Sequence, residues 1–370
     1  MLKKILKFDW ILIFATLLLA GISLLVLYSL STGNKELATN VFLKQSIFVA
    51  LGICVMFFLA LTDYHYLESY SRYIYFGTLL VLIIVLFFGT TVRGTVGWIK
   101  IGILNLQPVE IAKISLIIFI ARFISKKNRE IGEAGRLIVS LIISGVMIFL
   151  VIKQPDFGGA MVLAISWIGM ILISSVSKKF LFLISLAIIS FFAIEWSFLA
   201  DYQKERIINF VHPELNARGS GYNVAQSLVA VGSGGLTGKG IGNGSQSQLN
   251  FLPEKHTDFI FAVITEELGF FGAAMVLFLY ALIFYRIKKI ADYAPDNFGF
   301  LVAGGIMILF FTQIAVNVGM NIGVIPVTGI TLPFLSYGGS SLMAFFAAIG
   351  ILLSINEKKN NLESKSLQSY

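Results

Sequence analysis

Long apolar segments recur along almost the whole chain and are separated by short polar stretches. Runs of about 18 or more mostly apolar residues are long enough to cross the hydrocarbon core of a bilayer as helices. The pattern predicts about ten membrane-spanning helices, at 10–31, 46–62, 73–90, 108–124, 137–152, 158–176, 180–200, 259–285, 299–319 and 340–356. The sequence therefore predicts an all-α integral membrane protein, a single polytopic membrane domain over residues 1–370.

One connection is much longer than the others. Residues 201–257, between the seventh and eighth spans, form a polar and glycine-rich loop. Most lysines and arginines fall on one side when the N-terminus is placed in the cytoplasm, as the positive-inside rule requires. This predicts that both termini, including the short tail 357–370, are cytoplasmic and that the long loop is extracytoplasmic. The first apolar stretch is too long for a cleaved signal peptide and is expected to remain as a span.

Composition supports the membrane class. The chain is 57% hydrophobic and only 13% charged, whereas soluble domains carry about 25% charged residues. The net charge of +8 is expected from cations kept at the cytoplasmic face, so no nucleic-acid partner is predicted. The single cysteine, Cys54, excludes an intramolecular disulfide, and the three histidines are scattered without metal-ligand spacing.

Four polar, Gly- and Pro-containing segments fall on the outer side of this topology. They are Arg93–Lys113, Lys153–Gly159, the long loop as far as Asp258, and Asn321–Ser341. Polar irregular backbone at membrane depth is tolerated only where it is buried in protein or lines a wet cavity. The four segments therefore predict an outward-facing cavity.

The candidate chemistry centres on LPEKHTDFIFAVITEELG, residues 252–269. Glu254, His256 and Asp258 directly precede an apolar span, and an ionisable group there is a functional-site hypothesis. Asp258 either caps the helix that follows or acts as a general base towards a substrate hydroxyl. Glu266 and Glu267 lie inside the apolar run, a position typical of interhelical hydrogen bonds.

Other polar residues on the same side leave two interpretations open. Glu110 and Lys113 are three residues apart and share a helix face, so they form either an ion pair or a substrate contact. Gln107 precedes a proline at a predicted helix start. Asp156, in QPDFGG, suits either a tight turn or a cavity wall.

The glycine-rich piece Val231–Gly244 contains neither GxGxxG nor a Walker A motif, so it is interpreted as a close-packed loop. Lys239 and Arg206 remain candidate contacts for an anion. An outward site without ATP must take its energy from its substrate or a gradient, and a lipid-borne activated sugar meets that condition. Its pyrophosphate leaving group needs cations such as Lys113, Arg206 or Lys239, or a bound divalent ion, Mg²⁺ or Mn²⁺.

An ordered series of motifs over nearly the whole chain resembles the SEDS family (shape, elongation, division and sporulation). Its carriers are GWIKIG with QPVEIAK, QPDFG, RIINFVHPE with GYNVAQS, LPEKHTDFIFAVITEELG and PVTGITLPFLSYGGSS. The piece GGLTGKGIGNGSQSQLNFLPE is more similar to the rod-elongation branch, RodA, than to the division branch, FtsW. Two positions depart from the family pattern: Gly97 stands where many relatives have a basic residue, and Val109 replaces the usual serine.

The resemblance implies a peptidoglycan glycosyltransferase of the bacterial cytoplasmic membrane that polymerises lipid II on the outer face. The family's essential acid falls on Asp258, and Gln107, Glu110, Lys113 and Asp156 match its cavity-lining positions. The implied partners are lipid II, undecaprenyl-linked glycan, a class B penicillin-binding protein and other elongation-complex membrane proteins.

The expected reaction is an inverting glycosyl transfer with Asp258 as base, and with Glu254 and His256 orienting the acceptor or Asp258. A lipid II flippase, a division-type polymerase and a non-catalytic scaffold are the alternatives. The clustering of polar motifs on the outer side favours the enzyme over a transporter, which should show polar residues reaching both faces.

Overall fold

The computed structural model describes residues 6–32, 35–92, 95–101, 104–126, 132–174 and 220–368. Within these ranges the chain is mostly helical. The elements, in chain order, are α1 (Trp10–Thr32), α2 (Lys35–Leu61), α3 (His65–Phe88), β1 (Thr90–Val92), β2 (Thr95–Ile101), β3 (Leu104–Leu106), α4 (Pro108–Ser125), α5 (Glu133–Lys153), α6 (Phe157–Ile173), α7 (Ser220–Ser233), α8 (Ser245–Gln248), α9 (Ile260–Asp292), α10 (Asn297–Asn321) and α11 (Gly339–Gln368).

Seven of the described helices are long and apolar enough to cross a membrane: α1, α2, α3, α5, α9, α10 and α11. The helix α6 is apolar but shorter, with 17 residues. The helix α4 has 18 residues and carries Glu110, Lys113 and Arg122. The predicted seventh span, 180–200, lies outside the described residues.

A small sheet separates α3 from α4 and departs from the all-α prediction. Strands β1, β2 and β3 pair antiparallel in that order. The segment is rich in β-branched residues, which favour strands. The backbone N–H of Val96 donates to the carbonyl of Gln154 at 3.2 Å, which ties the sheet to the end of α5. This sheet follows the predicted span 73–90. The polar segment between that span and α4 is therefore an ordered sheet and not an irregular loop.

The helix α9 is broken at Gly269, whose φ of 67° and ψ of −163° are not helical. The predicted span 259–285 is thus a short helix, Ile260–Leu268, followed by a longer one, 270–292. The glycine-rich segment pairs with the break, because the N–H groups of Phe270 and Phe271 donate to the carbonyls of Gly235 (2.9 Å) and Leu236 (3.2 Å). A break in a spanning helix leaves orphan backbone groups that need such partners.

The helices α10 and α11 form the centre of the bundle. In the most apolar stretch of α10, 72% of the residues are buried, and in that of α11, 83% are buried. The corresponding share is 28% in α2, α3 and α5. The peripheral helices therefore present apolar side chains outwards, as expected of helices in contact with lipid.

Ion pairs gather at one end of the bundle, which we call the basic end. Arg286 pairs with the buried Asp9 at 2.6 Å. Asp63 pairs with Lys358, and His65 joins Asp63 to Asp296 at 2.7 and 2.9 Å. Burial acts to raise the pKa of Asp63, but Lys358 and His65 outweigh it and lower that pKa to about 2.

Candidate active site

A cavity of about 160 Å³ lies at the end of the bundle opposite the basic end. Its walls are Val92, Thr95 and Trp98 of the sheet, Gln107, residues 155–158, Thr257 and Asp258, residues 328, 329 and 331, and residues 337, 338, 340 and 341. The four segments predicted to converge do meet here. Among the predicted site residues, Gln107, Asp156 and Asp258 line this cavity.

Four helices begin at this cavity. Helix α4 starts after Gln107, α6 starts after Asp156, the short helix starts at Ile260, and α11 starts after Gly338. The N-terminus of a helix carries a partial positive charge and unpaired N–H groups, and so attracts anions. Four such ends around one cavity make it suited to a negatively charged ligand.

Asp258 is half-buried and lies just before the short helix. The N-cap position belongs to Phe259, not to Asp258. The Asp258 carboxylate faces Gly329, because a Cβ built on that glycine would lie 3.6 Å from Asp258 Oδ2. Gly329 also has a φ of 73°, so a side chain there is disfavoured on two grounds.

Two buried asparagines of α10 hold the backbone at Asp258. The side-chain amides of Asn317 and Asn321 each donate to the Asp258 carbonyl at 3.0 Å. The Asn321 oxygen accepts from the N–H of Ala262 at 3.0 Å, which satisfies one of the first N–H groups of the short helix. Asn317 also donates to the carbonyl of Ile330 at 2.7 Å and so reaches the opposite wall.

Sequence reasoning missed this pair. Both asparagines lie in an apolar span, four residues apart in NVGMN, and therefore share one helix face. A buried amide inside a membrane helix needs hydrogen-bond partners, so this spacing is the signal that would have found them.

The segment before Asp258 is bonded to the segment before α11. Tyr337 donates its N–H to the carbonyl of His256 at 2.8 Å, and Ser336 Oγ donates to the carbonyl of Thr257 at 2.6 Å. Thr257 Oγ1 lies 3.3 Å from Glu254 Oε2. Neither Glu254 nor His256 is among the residues that line the cavity. Their visible contribution is to fix the loop that presents Asp258.

Asp156 lines the cavity, as one of its two interpretations predicted, and also caps α6. Its Oδ1 accepts from the N–H of Gly159 at 2.7 Å and so caps α6, while Oδ2 accepts from Gln107 Nε2 at 3.4 Å across the cavity. A Cβ on Gly158 would lie 2.7 Å from the carbonyl of Thr328, and one on Gly159 would lie 2.7 Å from Asp156 Oδ2. The two glycines therefore allow the close approach.

Glu110 and Lys113 form an ion pair of 2.7 Å with side-chain exposures of 6% and 4%. The pair lies within the first two turns of α4 and does not line the cavity. Of the two interpretations, the structure shows the ion pair. Removing one partner of such a pair leaves the other charge buried without compensation, which is destabilising. The pair therefore stabilises the first turns of α4, which follow Gln107.

Lys239 contacts Glu266 Oε1 at 3.0 Å and Ser245 Oγ at 2.9 Å, and it does not line the cavity. Glu266 also accepts from the N–H groups of Gln246 (2.9 Å) and Ser247 (3.0 Å). Lys239 was predicted to contact a substrate anion, but in the structure its amine pairs with the carboxylate of Glu266. The other candidate, Arg206, lies outside the described residues.

Glu267 has a similar structural environment. It accepts hydrogen bonds from Ser29 Oγ at 2.7 Å, Gln248 Nε2 at 3.1 Å and the N–H of Gly242 at 3.2 Å. Together with Glu266, it binds the glycine-rich segment to the break at Gly269.

The described residues contain no group of three or more His, Cys, Asp or Glu placed to hold a metal ion. Asp156 and Asp258 nevertheless line one cavity. Protein sites for Mg²⁺ commonly supply one or two carboxylates and leave the other positions to substrate phosphates and water. The donor set therefore fits a divalent ion only in the company of a phosphate-bearing substrate.

Comparison with known proteins identifies the family to which the chain is similar. Residues 9–361 match the family model FTSW_RODA_SPOVE, described as cell cycle protein. The chain is 39% identical over 322 residues to peptidoglycan glycosyltransferase MrdB of Escherichia coli strain K12, covering 86% of each chain. It is 38% identical over 356 residues to stage V sporulation protein E of Bacillus subtilis strain 168, covering 94% of this chain and 96% of that one.

A solved structure has the same fold. One chain of a peptidoglycan synthase complex that coordinates polymerization and crosslinking superposes with a TM-score of 0.81 at 28% identity, covering 95% of this chain and 98% of that chain. The motif resemblance, the family model and the fold agree. The chain belongs to the FtsW/RodA/SpoVE family of cell cycle proteins, the SEDS family.

Proposed function

We propose that this protein is a peptidoglycan glycosyltransferase that polymerises lipid II into glycan strands, in the rod-elongation branch of its family. The observation that carries the proposal is the cavity in which Asp258 stands among four helix N-termini, with Asp156 and Gln107 on the facing wall. A carboxylate base next to an anion-attracting site is what glycosyl transfer from a pyrophosphate donor requires.

In the proposed reaction the Asp258 carboxylate takes the proton of the 4-hydroxyl of the acceptor N-acetylglucosamine. That oxygen attacks the anomeric carbon of the lipid-linked growing chain from the side opposite the pyrophosphate. The new glycosidic C–O bond forms as the bond to pyrophosphate breaks, with inversion. Undecaprenyl pyrophosphate leaves with the bonding electron pair, and Asp258 retains the proton until it is passed to water.

The leaving group gains negative charge, which must be stabilised. In the described part of the chain the helix N-termini provide this, since Lys113 and Lys239 are each paired with a glutamate. Arg206 is proposed as a further cation. A divalent ion would be held by Asp156 together with phosphate oxygens of the substrate, and would supply charge neutralisation there.

Tyr337 contributes a neutral donor to the cavity wall. Burial raises the pKa of its hydroxyl above the ordinary value of 10.0, so the group stays protonated at physiological pH. A protonated phenol can donate a hydrogen bond to a sugar or phosphate oxygen and adds no charge that would repel the pyrophosphate.

The basic end is proposed to lie in the cytoplasm, which places the cavity on the outer face of the membrane. Loops and helix ends that are rich in lysine and arginine are retained on the cytoplasmic side of the membrane. The solved relative is part of a complex that coordinates polymerization and crosslinking. By analogy, a class B penicillin-binding protein is the proposed partner that crosslinks the strands made here.

One reconstitution tests the function against the flippase alternative. Proteoliposomes containing the purified protein and its penicillin-binding partner receive labelled lipid II, and glycan polymer and transbilayer movement are measured in parallel. We expect polymer from externally supplied lipid II, with transbilayer movement no faster than in protein-free liposomes. Rapid movement without polymer contradicts the proposal and favours a transporter.

A further inference from the structure

Three cations surround a second cavity, far from the candidate active site. This cavity of about 290 Å³ is lined by Arg72, Phe119, Arg122, Phe123 and Lys126. Arg72 lies in the second turn of α3. Phe119, Arg122 and Phe123 belong to the last turns of α4, and Lys126 directly follows that helix. The cavity therefore lies on the seam between these two helices, at the basic end.

In the part of the chain that the structure describes, carboxylates neutralise only part of this charge. Lys126 is 3.8 Å from Glu68, and the Lys126 side chain is 61% exposed. Arg122 uses one nitrogen, Nη1, for neutral partners, Ser71 Oγ at 2.9 Å and the carbonyl of Ser69 at 3.4 Å. Arg72 is exposed and has no hydrogen-bond or ion-pair partner among the described residues. Among the described residues, the three cations thus have a single carboxylate, Glu68, within ion-pair distance.

The same seam continues as an apolar groove. A further cavity of about 290 Å³ is lined by Tyr73, Ile74, Gly77, Thr78, Val81, Pro108 and Ile111. It begins one residue beyond Arg72 and follows α3 for about 12 Å, taking 1.5 Å for each helical residue. The hydroxyl of Thr78 donates to the carbonyl of Ile74 at 2.7 Å, so it presents no unsatisfied polar group to the groove.

Gly77 keeps this groove open. A Cβ built on Gly77 meets no atom within 4 Å, although the residue lies in the middle of α3, where glycine costs about 1 kcal/mol relative to alanine. Tyr70 and Tyr73 are 57% and 76% exposed beside the cations. Exposed tyrosines at a helix end are typical of the membrane interface, which places the cations at headgroup level.

We propose that the α3–α4 seam is a binding site for one anionic glycerophospholipid. Arg72, Arg122 and Lys126 hold the phosphodiester, and an acyl chain lies in the groove along Gly77. Basic residues at a helix end follow from the positive-inside rule alone. The combination of an under-neutralised basic cavity with an apolar groove on the same seam has the two-part chemistry of such a lipid. Guanidinium groups also match phosphate oxygens in geometry.

Native mass spectrometry of the detergent-purified full chain tests the headgroup half. The probes are phosphatidylglycerol and phosphatidylcholine with identical acyl chains, and inorganic phosphate as competitor. We expect preferential retention of one phosphatidylglycerol that inorganic phosphate does not displace. Arg72→Gln should weaken retention on the order of fivefold, the equivalent of about 1 kcal/mol for each basic residue near an anionic headgroup.

The matched control is Lys289→Gln, which removes a cation of α9 at the same end. It should leave retention unchanged. Arg72 has no hydrogen-bond or ion-pair partner among the described residues, so Arg72→Gln is expected to fold as the wild type does. Equal retention of both lipids by the wild type, equal losses in the two variants, or displacement by inorganic phosphate overturns the proposal.

Gly77→Leu tests the acyl-chain half without changing the charge. Its side chain enters the groove, so phosphatidylglycerol retention should fall by on the order of tenfold while the thermal midpoint stays level or rises. The control is Gly145→Leu on α5, where a Cβ also meets nothing within 4 Å. Retention by Gly77→Leu equal to that by Gly145→Leu overturns the groove assignment.

Discussion

The side-chain amide of Asn317 donates to the backbone carbonyl of Asp258 across 3.0 Å. This single contact joins the central helix α10 to the residue proposed as the catalytic base. Asn321 repeats the contact one turn later on the same helix. The position of the Asp258 carboxylate is therefore set by buried amides and not by its own loop alone.

Asn317→Ala should lower both stability and polymerisation. It removes the donor to the carbonyl of Ile330 and one of the two side-chain donors to the carbonyl of Asp258, which keeps Asn321. An unsatisfied buried group costs about 1–3 kcal/mol. We expect a lower thermal midpoint and at least tenfold slower glycan formation at a temperature where the variant is folded. Gln313→Leu is the control, because the buried Gln313 amide has no hydrogen-bond partner in the described structure. An Asn317→Ala protein with wild-type polymerisation would remove this contact from the account.

Gly269→Ala should disrupt the junction between the glycine-rich segment and α9. A Cβ at this position would lie 2.3 Å from the backbone nitrogen of Gly238, and its φ of 67° with ψ of −163° suits glycine alone. We expect the free energy of unfolding, measured by denaturation, to fall by about 2–4 kcal/mol. Gly235→Ala is the matched control, since Gly235 also has a positive φ of 55° but nothing within 4 Å. It should lose only about 1 kcal/mol. Equal losses in the two variants contradict the steric explanation.

Lys239→Gln distinguishes a structural lysine from a substrate contact. Lys239 pairs with Glu266, whose side chain is fully buried, so its loss leaves a buried carboxylate less well neutralised. We expect a lower thermal midpoint with a KM for lipid II within about twofold of the wild type. A large rise in KM at unchanged stability would restore Lys239 as an anion contact.

Asp63 should make stability depend on pH in the acid range. Its folded-state pKa of about 2 lies below the ordinary value of 3.8, so its contribution is present above about pH 4. That contribution disappears as the pH falls towards 2, because the folded state then also takes up the proton. Partial exposure reduces the effect to on the order of 1 kcal/mol.

Thermal unfolding of Asp63→Asn and wild type, compared from pH 7 to pH 2, checks this. The difference should be present at pH 7 and fade between about pH 4 and 2. The exposed Asp292→Asn serves as control. A difference that grows on acidification has the wrong sign for this account.

The apolar runs predicted most of the helices, because burial in lipid demands a long apolar segment whatever the tertiary contacts are. Gln107, Asp156 and Asp258 were found for a local reason: each is a polar residue at a helix start, beside Pro, Gly or an acid cluster. Their convergence followed from topology.

The break at Gly269 could not be predicted in the same way, since a glycine in an apolar run is compatible with a continuous membrane helix. It is the docking of Gly235 and Leu236, more than 30 residues away, that makes the break favourable. The partners of Lys113 and Lys239 show the same limit. The sequence gives a cation's position along the chain, but only the fold shows which carboxylate neutralises it.

The measurement that bears most directly on the central claim is the rate of glycan polymer formation by Asp258→Asn, with labelled lipid II and the penicillin-binding partner, analysed by gel. The substitution keeps the size of the side chain, and the backbone carbonyl of residue 258 still accepts from Asn317 and Asn321. The asparagine amide, however, cannot accept the proton of the acceptor hydroxyl. We predict a loss of at least 100-fold, in line with general-base contributions of about 10²–10⁴, at an unchanged thermal midpoint. Polymer formed by Asp258→Asn at the wild-type rate would contradict the assignment of Asp258 as the base.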